Sequence, residues 1–281
     1  ETVTSGNLTL IGRSGDTGSG FDGIDASSAN TTTLRSAGNL TLQGYSYAAS
    51  GSGRGVDLNN DVIAASGTVS MTGQHNTGAT YALSLSGSTS ITAGTGVTLE
   101  SLNNNTGTIA LLSSGGINGG SGTVLMRAAN YAFGGADRTI TTTGVLTIEP
   151  DADENSFASS FDNQYLNPVS VTGLTLGKSS NASAITLSRA ISLSGPVSIY
   201  GGSIDVNANI TANSGNILLD ADTGSTLNQS STGILLDDAI TIETVTSGNL
   251  TLIGRSGDTG SGFDGIDASS ANTTTLRSAG N

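Results

Sequence analysis

The chain has no cysteine and no tryptophan, only three prolines, and an aromatic content of 4%. Without cysteine there is no disulfide scaffold, and the lack also fits export in an unfolded state. Without tryptophan there is no indole platform for stacking a sugar. Cations are scarce as well: 9 Lys+Arg stand against 22 Asp+Glu, for a net charge of −13. Nucleic-acid binding needs clustered cations, and so does docking on anionic lipid; neither fits here. No apolar run approaches the roughly 18 residues of a spanning helix, so membrane insertion is not expected. No signal peptide is visible, and a fragment beginning inside a repeat would carry none. No stretch combines Ala/Leu/Glu/Lys chemistry with 3.6-residue spacing, which leaves helices little support.

What is present is glycine, 41 of 281 residues, together with Ser, Thr, Asn and a 35% hydrophobic fraction drawn mostly from Leu, Ile, Val and Ala. Low apolar content with few charges can signal disorder, but here the apolar residues are periodic. The longest period is exact repetition: Glu1–Asn39 recurs as Glu243–Asn281, residue for residue, at an offset of 243 − 1 = 242. A fixed long period marks an array. Residues 1–242 are read as one complete tandem unit and 243–281 as the start of the next. Such an array favours a structural, length-building role over a compact enzyme.

A shorter period lies inside the long one. A glycine repeatedly opens a short alternating segment, at Gly6, Gly38, Gly67, Gly96, Gly122, Gly144, Gly173, Gly195, Gly215 and again at Gly248; nine spacings of 20 to 33 residues fill the 242-residue unit. Alternation of apolar and polar residues is the strand signal. It puts one pair from each winding on the same side: Leu8 and Leu10, Leu40 and Leu42, Val69 and Met71, Val97 and Leu99, Val124 and Met126. The series goes on through Leu146 and Ile148, Leu174 and Leu176, Val197 and Ile199, Ile217 and Leu219. Stacked, these pairs make two aliphatic ladders inside a tube. The Thr and Ser between them face water. Further short strands follow in each winding, such as Gly23-Ile24-Asp25 and its counterpart Gly55-Val56-Asp57. Three strands per winding, joined by Gly/Ser/Asn bends, predict an all-β parallel β-helix, a β-solenoid of about nine windings per repeat. Gly and Asn suit those bends because they tolerate positive φ. At about 4.8 Å per winding, one repeat spans about 43 Å of axis.

One stretch breaks the rhythm. Residues 149–168, from Glu149-Pro150 to Asn167-Pro168, are read as a projecting loop bounded by two prolines. It holds the acids Asp151, Asp153 and Glu154 and the aromatics Phe157, Phe161 and Tyr165, a contact surface for a ligand. The i, i+4, i+8 spacing of those rings also allows a short helix.

The Gly-Asn-Leu-Thr-Leu openings, the run Gly195-Pro196-Val197-Ser198-Ile199-Tyr200-Gly201-Gly202-Ser203-Ile204-Asp205-Val206 and the run Asn209-Ile210-Thr211-Ala212-Asn213-Ser214-Gly215-Asn216-Ile217 resemble the repeat regions of giant bacterial surface proteins of the filamentous-haemagglutinin type. The likeness covers nearly the whole chain. It implies a right-handed parallel β-helix, exported to the extracellular side of the bacterial cell surface. It also implies an adhesin stalk or fibre in attachment and biofilm. Self-association into a sheath is a further expectation, and the expected partners are neighbouring copies of the repeat end to end, with lateral fibre association or surface glycans.

Chemistry-bearing residues are few. Gly18-Ser19-Gly20-Phe21-Asp22-Gly23-Ile24 matches the G-x-G-x-D-x-U pattern of calcium-binding β-rolls, but it occurs once per unit and Thr17 replaces the pattern's first glycine. It reads as a Gly-rich bend. Asp16, Asp22 and Asp25 are close in sequence, and Asp57 stacks near Asp25; stacked acids repel unless a cation or hydrogen bonds intervene. These four are the candidate ligands of a cation, Ca²⁺ by charge and hardness, and solvated outer-face carboxylates are the plainer reading. No other cofactor is expected. A glycan-cleaving β-helix would need paired carboxylates or a basic proton acceptor. The cations are scattered and the single His75 sits in a Gly-Gln-His-Asn bend, so no catalytic residue is assigned. Alternating Thr139, Thr141 and Thr143 invite comparison with ice-binding ladders, but neighbouring windings do not align such pairs. A carbohydrate- or cation-binding module on a β-helix is the alternative to the fibre.

Overall fold

Each segment that alternates an aliphatic with a hydroxyl-bearing residue has one dry face and one wet face, and such segments find their dry partners only by stacking. The computed structural model describes residues 5–15, 20–27, 33–47, 53–75, 81–102, 106–112, 115–221, 232–237, 239–257, 262–269 and 273–280. Among these residues there is no helix, and all strand pairings are parallel. The chain is an all-β parallel β-helix.

One wall is a single ten-stranded sheet that runs the length of the molecule. It begins with Leu8–Arg13, Leu40–Tyr45 and Val69–Gln74 and ends with Ile217–Ala221 and Leu250–Gly254. Its register is set by the aliphatic pairs. In the first row Leu8 stands on Leu40, Leu40 on Val69, Val69 on Val97 and Val97 on Val124, and the row continues through Leu146, Leu174, Val197 and Ile217. The second row runs Leu10, Leu42, Met71, Leu99, Met126, and then Met126 on Ile148, Ile148 on Leu176, Leu176 on Ile199 and Ile199 on Leu219. From Leu40 to Leu219 every member of both rows is at most 2% exposed; Ile148 and Leu176 are fully buried. The ends depart from the expected dry ladder. Leu8 and Leu10, and Leu250 and Leu252 at the other end, are only partly buried because they have a neighbour on one side alone.

The second and third walls are interrupted. In the second, five strands from Ile24–Ala26 to Asn130–Phe133 stop, and five more start at Phe161–Asp162 and run to Ile266–Asp267. In the third, six strands end at Leu166–Pro168 and four restart at Ile191–Leu193. Both breaks involve the stretch read from sequence as a projecting loop. That reading is corrected here. Residues 149–168 contribute the strands Phe161–Asp162 and Leu166–Pro168 to the walls, contain no helix, and turn Phe157 and Phe161 inward, each 4% exposed. The reason is hydrophobic: beside the break in the second wall these two rings pack on each other and on Tyr131 and Phe133, an apolar cluster that is stabilised by leaving water.

Two further devices hold the bends. Gly6, Gly215 and Gly248 have φ near +110°, which a side chain would strain. Gly122 has no positive φ; it is needed because a Cβ there would sit 1.7 Å from the Thr95 carbonyl oxygen of the winding beneath. The asparagine that follows the opening glycine accepts from the next winding: Asn7 Oδ1 takes the Asn39 N–H at 2.8 Å, Asn39 Oδ1 the Thr68 N–H at 3.0 Å, and Asn216 Oδ1 the Asn249 N–H at 2.9 Å. A backbone amide that the strands leave over is thereby satisfied at each of these three corners.

Candidate functional site

Of the four acids singled out in the sequence, three converge. In the second wall Asp25 lies in register with Asp57, and Asp57 with Ser84. Asp22 sits in the bend leading into the first of these strands. One oxygen from each of Asp22, Asp25 and Asp57 lies within 4.8 Å of the others. Asp16 lies outside the described residues, as do Gly18 and Ser19 of the β-roll-like motif.

Each carboxylate has one oxygen engaged. Asp22 Oδ1 accepts the Arg54 backbone N–H at 2.5 Å, Asp25 Oδ1 accepts the Ser27 N–H at 2.8 Å and its hydroxyl at 2.5 Å, and Asp57 Oδ2 is ion-paired with the Arg54 guanidinium. Arg54 in turn lies 5.8 Å from the centre of the Tyr81 ring. The plainer expectation of solvated acids fails for Asp57, which is 4% exposed with Oδ1 buried and without a hydrogen-bond partner among the described residues. Ser84, the next residue in the row, is fully buried, and its Oγ also has no hydrogen-bond partner among the described residues. Burial pushes the Asp22 carboxyl above the usual aspartate value, and the neighbouring Asp57 and Asp25 charges add to this against the Arg54 amide. Asp25, on the surface, is held below it by the two Ser27 hydrogen bonds.

A second feature occupies the break in the second wall. Phe157 and Phe161 stack at 5.5 Å between ring centres, and Tyr131 meets both edge-on at 5.9 and 5.6 Å. Phe133 meets Phe161 edge-on at 6.3 Å. Beside the rings a half-open cleft of about 210 Å³ is bordered by Tyr165, Asn130, Asp162 and Gln164. The Tyr131 hydroxyl donates to the Glu149 carbonyl at 3.0 Å, and burial pushes its pKa up. Of the proposed contact residues, Phe157 and Phe161 are therefore floor, Tyr165 is rim, and Asp153 alone among the acids is exposed. Glu154 is half-buried. Asp151 is 2% exposed, with Oδ2 unpaired among the described residues and its pKa raised by burial; Lys178 Nζ donates to the Asp151 carbonyl at 3.1 Å.

The remaining residues are placed simply. His75 follows the strand Val69–Gln74 and is 5% exposed. Thr139 and Thr141 lie half-buried on the third wall, and Thr141 is in register with Asn118 rather than with another threonine.

Sequence reasoning missed two interior polar residues. Arg138 is fully buried and points into the tube, where Nη1 donates to the Thr89 carbonyl at 3.1 Å and to the Gly115 carbonyl; burial lowers its pKa to about 10. Its parity with Ile140, two residues on, was the available signal. Asn181, also fully buried, accepts the Phe157 N–H at 3.2 Å and donates to the Tyr200 carbonyl at 2.8 Å, fixing the aromatic floor. On the outer face, Arg127 lies in register between Glu100 and Glu149 and pairs with Glu149 at 2.5 Å. Comparison with protein-family models, with curated proteins and with solved structures gave no match.

Proposed function

We propose that this chain is a structural repeat of a long extracellular bacterial fibre or adhesin stalk, of the filamentous-haemagglutinin type its motifs resemble. One observation carries the reading. The second copy of the repeated sequence stacks on the first unit by the same parallel pairing that joins all other windings: Ile217 stands on Leu250 and Leu219 on Leu252. The two copies also share local geometry, with φ of +110° at both Gly6 and Gly248. A unit whose last winding seats the start of the next without a break in its longest sheet is a unit built to extend. Neighbouring windings share a continuous core and axial hydrogen bonds, so the mechanism is mechanical: length and stiffness from repetition. Its setting is the cell surface, where such a stalk serves attachment, biofilm or a sheath. Electron microscopy of the native source material tests this. Slender filaments with an axial repeat of about 43 Å, or a small multiple, are expected. Compact particles without axial order would sink the reading.

The aromatic cleft favours a second reading, a carbohydrate-binding module. Half-buried Tyr131, Phe133 and Tyr165 can meet the apolar face of a sugar ring, and Asp162, Asn130 and Gln164 can meet its hydroxyls. The cleft is below the usual range of ligand pockets, about 300–1,000 Å³, and so suits a single ring. Glycan binding that survives Tyr165→Ala and Asp162→Ala would exclude the cleft as its seat.

A further inference from the structure

We propose that Asp22, Asp25 and Asp57 form a binding site for a divalent cation, Ca²⁺ by its chemistry, with Ser84 at its edge. The inference stands on local geometry and is independent of the fibre reading.

Convergence comes first. Oxygens bound to Ca²⁺ at about 2.4 Å lie on a sphere whose diameter is about 4.8 Å, and the three carboxylates offer oxygens within 4.8 Å of one another. A winding of the tube brings them there: Asp25 and Asp57 are 32 residues apart in sequence and adjacent in the wall.

The second observation is independent of the acidic count. Asp57 Oδ1 is buried and has no hydrogen-bond partner among the described residues, and the fully buried Ser84 Oγ, next along the row, is in the same condition. A buried carboxylate oxygen left bare is costly, and natural folds rarely leave two adjacent polar atoms so. Arg54 does not relieve Oδ1, because it binds Oδ2. The hydrogen bonds to Asp22 and Asp25 likewise fall on one oxygen each, leaving the second uncommitted among the described residues. Each carboxylate is thus oriented through one oxygen and open through the other, the arrangement a metal needs from ligands fixed by an outer layer of hydrogen bonds.

Charge agrees. Three carboxylates and one guanidinium leave −3 + 1 = −2, which one divalent cation neutralises. The donors are oxygens only, which selects a hard ion, and three protein carboxylates leave room for waters or carbonyls in a shell of six to eight.

The chain carries its own control. Asp264 and Asp267 repeat Asp22 and Asp25, and Asp267 Oδ1 accepts the Ser269 N–H at 2.8 Å as Asp25 does from Ser27. No third acid joins them among the described residues. One site per chain is therefore expected, not two.

The test is calorimetric titration of CaCl₂ into the EDTA-stripped 281-residue chain, with Asp25→Asn, Asp57→Asn and the remote surface control Asp137→Asn. Circular dichroism checks the fold of each. The native chain and the control should bind one Ca²⁺ with Kd on the order of 10⁻⁴–10⁻³ M, the range of extracellular modules, and both cluster variants should bind at least about tenfold more weakly. If Asp57→Asn loses its β signal, Asp25→Asn decides alone, because Asp25 is exposed and its replacement leaves the wall intact. No binding by the native chain, binding that Asp25→Asn retains in full, or two equivalent sites would each overturn the proposal.

Discussion

At the scale of single residues, the interior polar groups are where substitutions should have the largest effect. Arg138 fills the tube beside Ile140 and ties the carbonyls of Thr89 and Gly115, which belong to two earlier windings. Arg138→Ala removes the volume and leaves both carbonyls bare, a loss of about 3 kcal/mol or more. Arg138→Met restores volume and removes a buried charge, so it should lose clearly less. Equal losses in chemical denaturation would show that packing is not part of the arginine's role. Asp151 is the opposite case. Burial raises its carboxyl pKa above the usual aspartate value. The folded state then holds that proton to higher pH than the unfolded chain. This residue's contribution to stability therefore rises as pH falls from neutral through the folded-state pKa, and levels off below the ordinary value. Asp151→Asn should melt at or above the parent temperature at pH 7, with the difference shrinking toward pH 4. A pH-independent difference would refute that account.

At the scale of elements, the windings close only because backbone approaches backbone at the corners. Gly122→Ala would press a methyl group onto the Thr95 carbonyl, at 1.7 Å without adjustment. The corner must shift, at a cost of about 1–3 kcal/mol. Gly15→Ala meets nothing within 4 Å and has no positive φ, so thermal melting should leave it near the parent. Melting temperatures for the two that coincide would mean the corners are softer than their spacing implies. The elements also divide by legibility. Strands of the long sheet could be read in the sequence, because Leu40-Thr41-Leu42 or Val97-Thr98-Leu99 states its own inward face. Residues 149–168 could not. The proline pair and the acids Asp151, Asp153 and Glu154 look like an exposed loop, while Phe157 and Phe161 are buried against Tyr131 and Phe133 of the strand Asn130–Phe133, which the chain order does not show.

At the scale of the molecule, stability is a sum of windings and of the interfaces between them. Leu99 lies mid-stack with Met71 on one side and Met126 on the other. Leu99→Asn buries an unpaired amide there. Hydrogen exchange should quicken in the strands Val69–Gln74, Val97–Ser101 and Val124–Arg127 while Val197–Tyr200 and Ile217–Ala221 keep their protection. Uniform loss along the chain would indicate one cooperative globule rather than a linear stack.

The amino-acid sequence by itself determined the 242-residue period, the winding length and the inward aliphatic ladder, because alternation and repetition are properties of neighbouring residues. It also named Asp16, Asp22, Asp25 and Asp57 as a group worth watching, of which the last three lie among the described residues. Only the tertiary structure decided which polar groups are dry. Asp57, Arg138 and Asn181 read as ordinary surface residues in the chain, and what covers or binds them comes from windings about 20 to 50 residues away. Burial is a property of that long-range stacking, and with it go the bare oxygen of Asp57, the guanidinium inside the tube and the aromatic floor of the cleft.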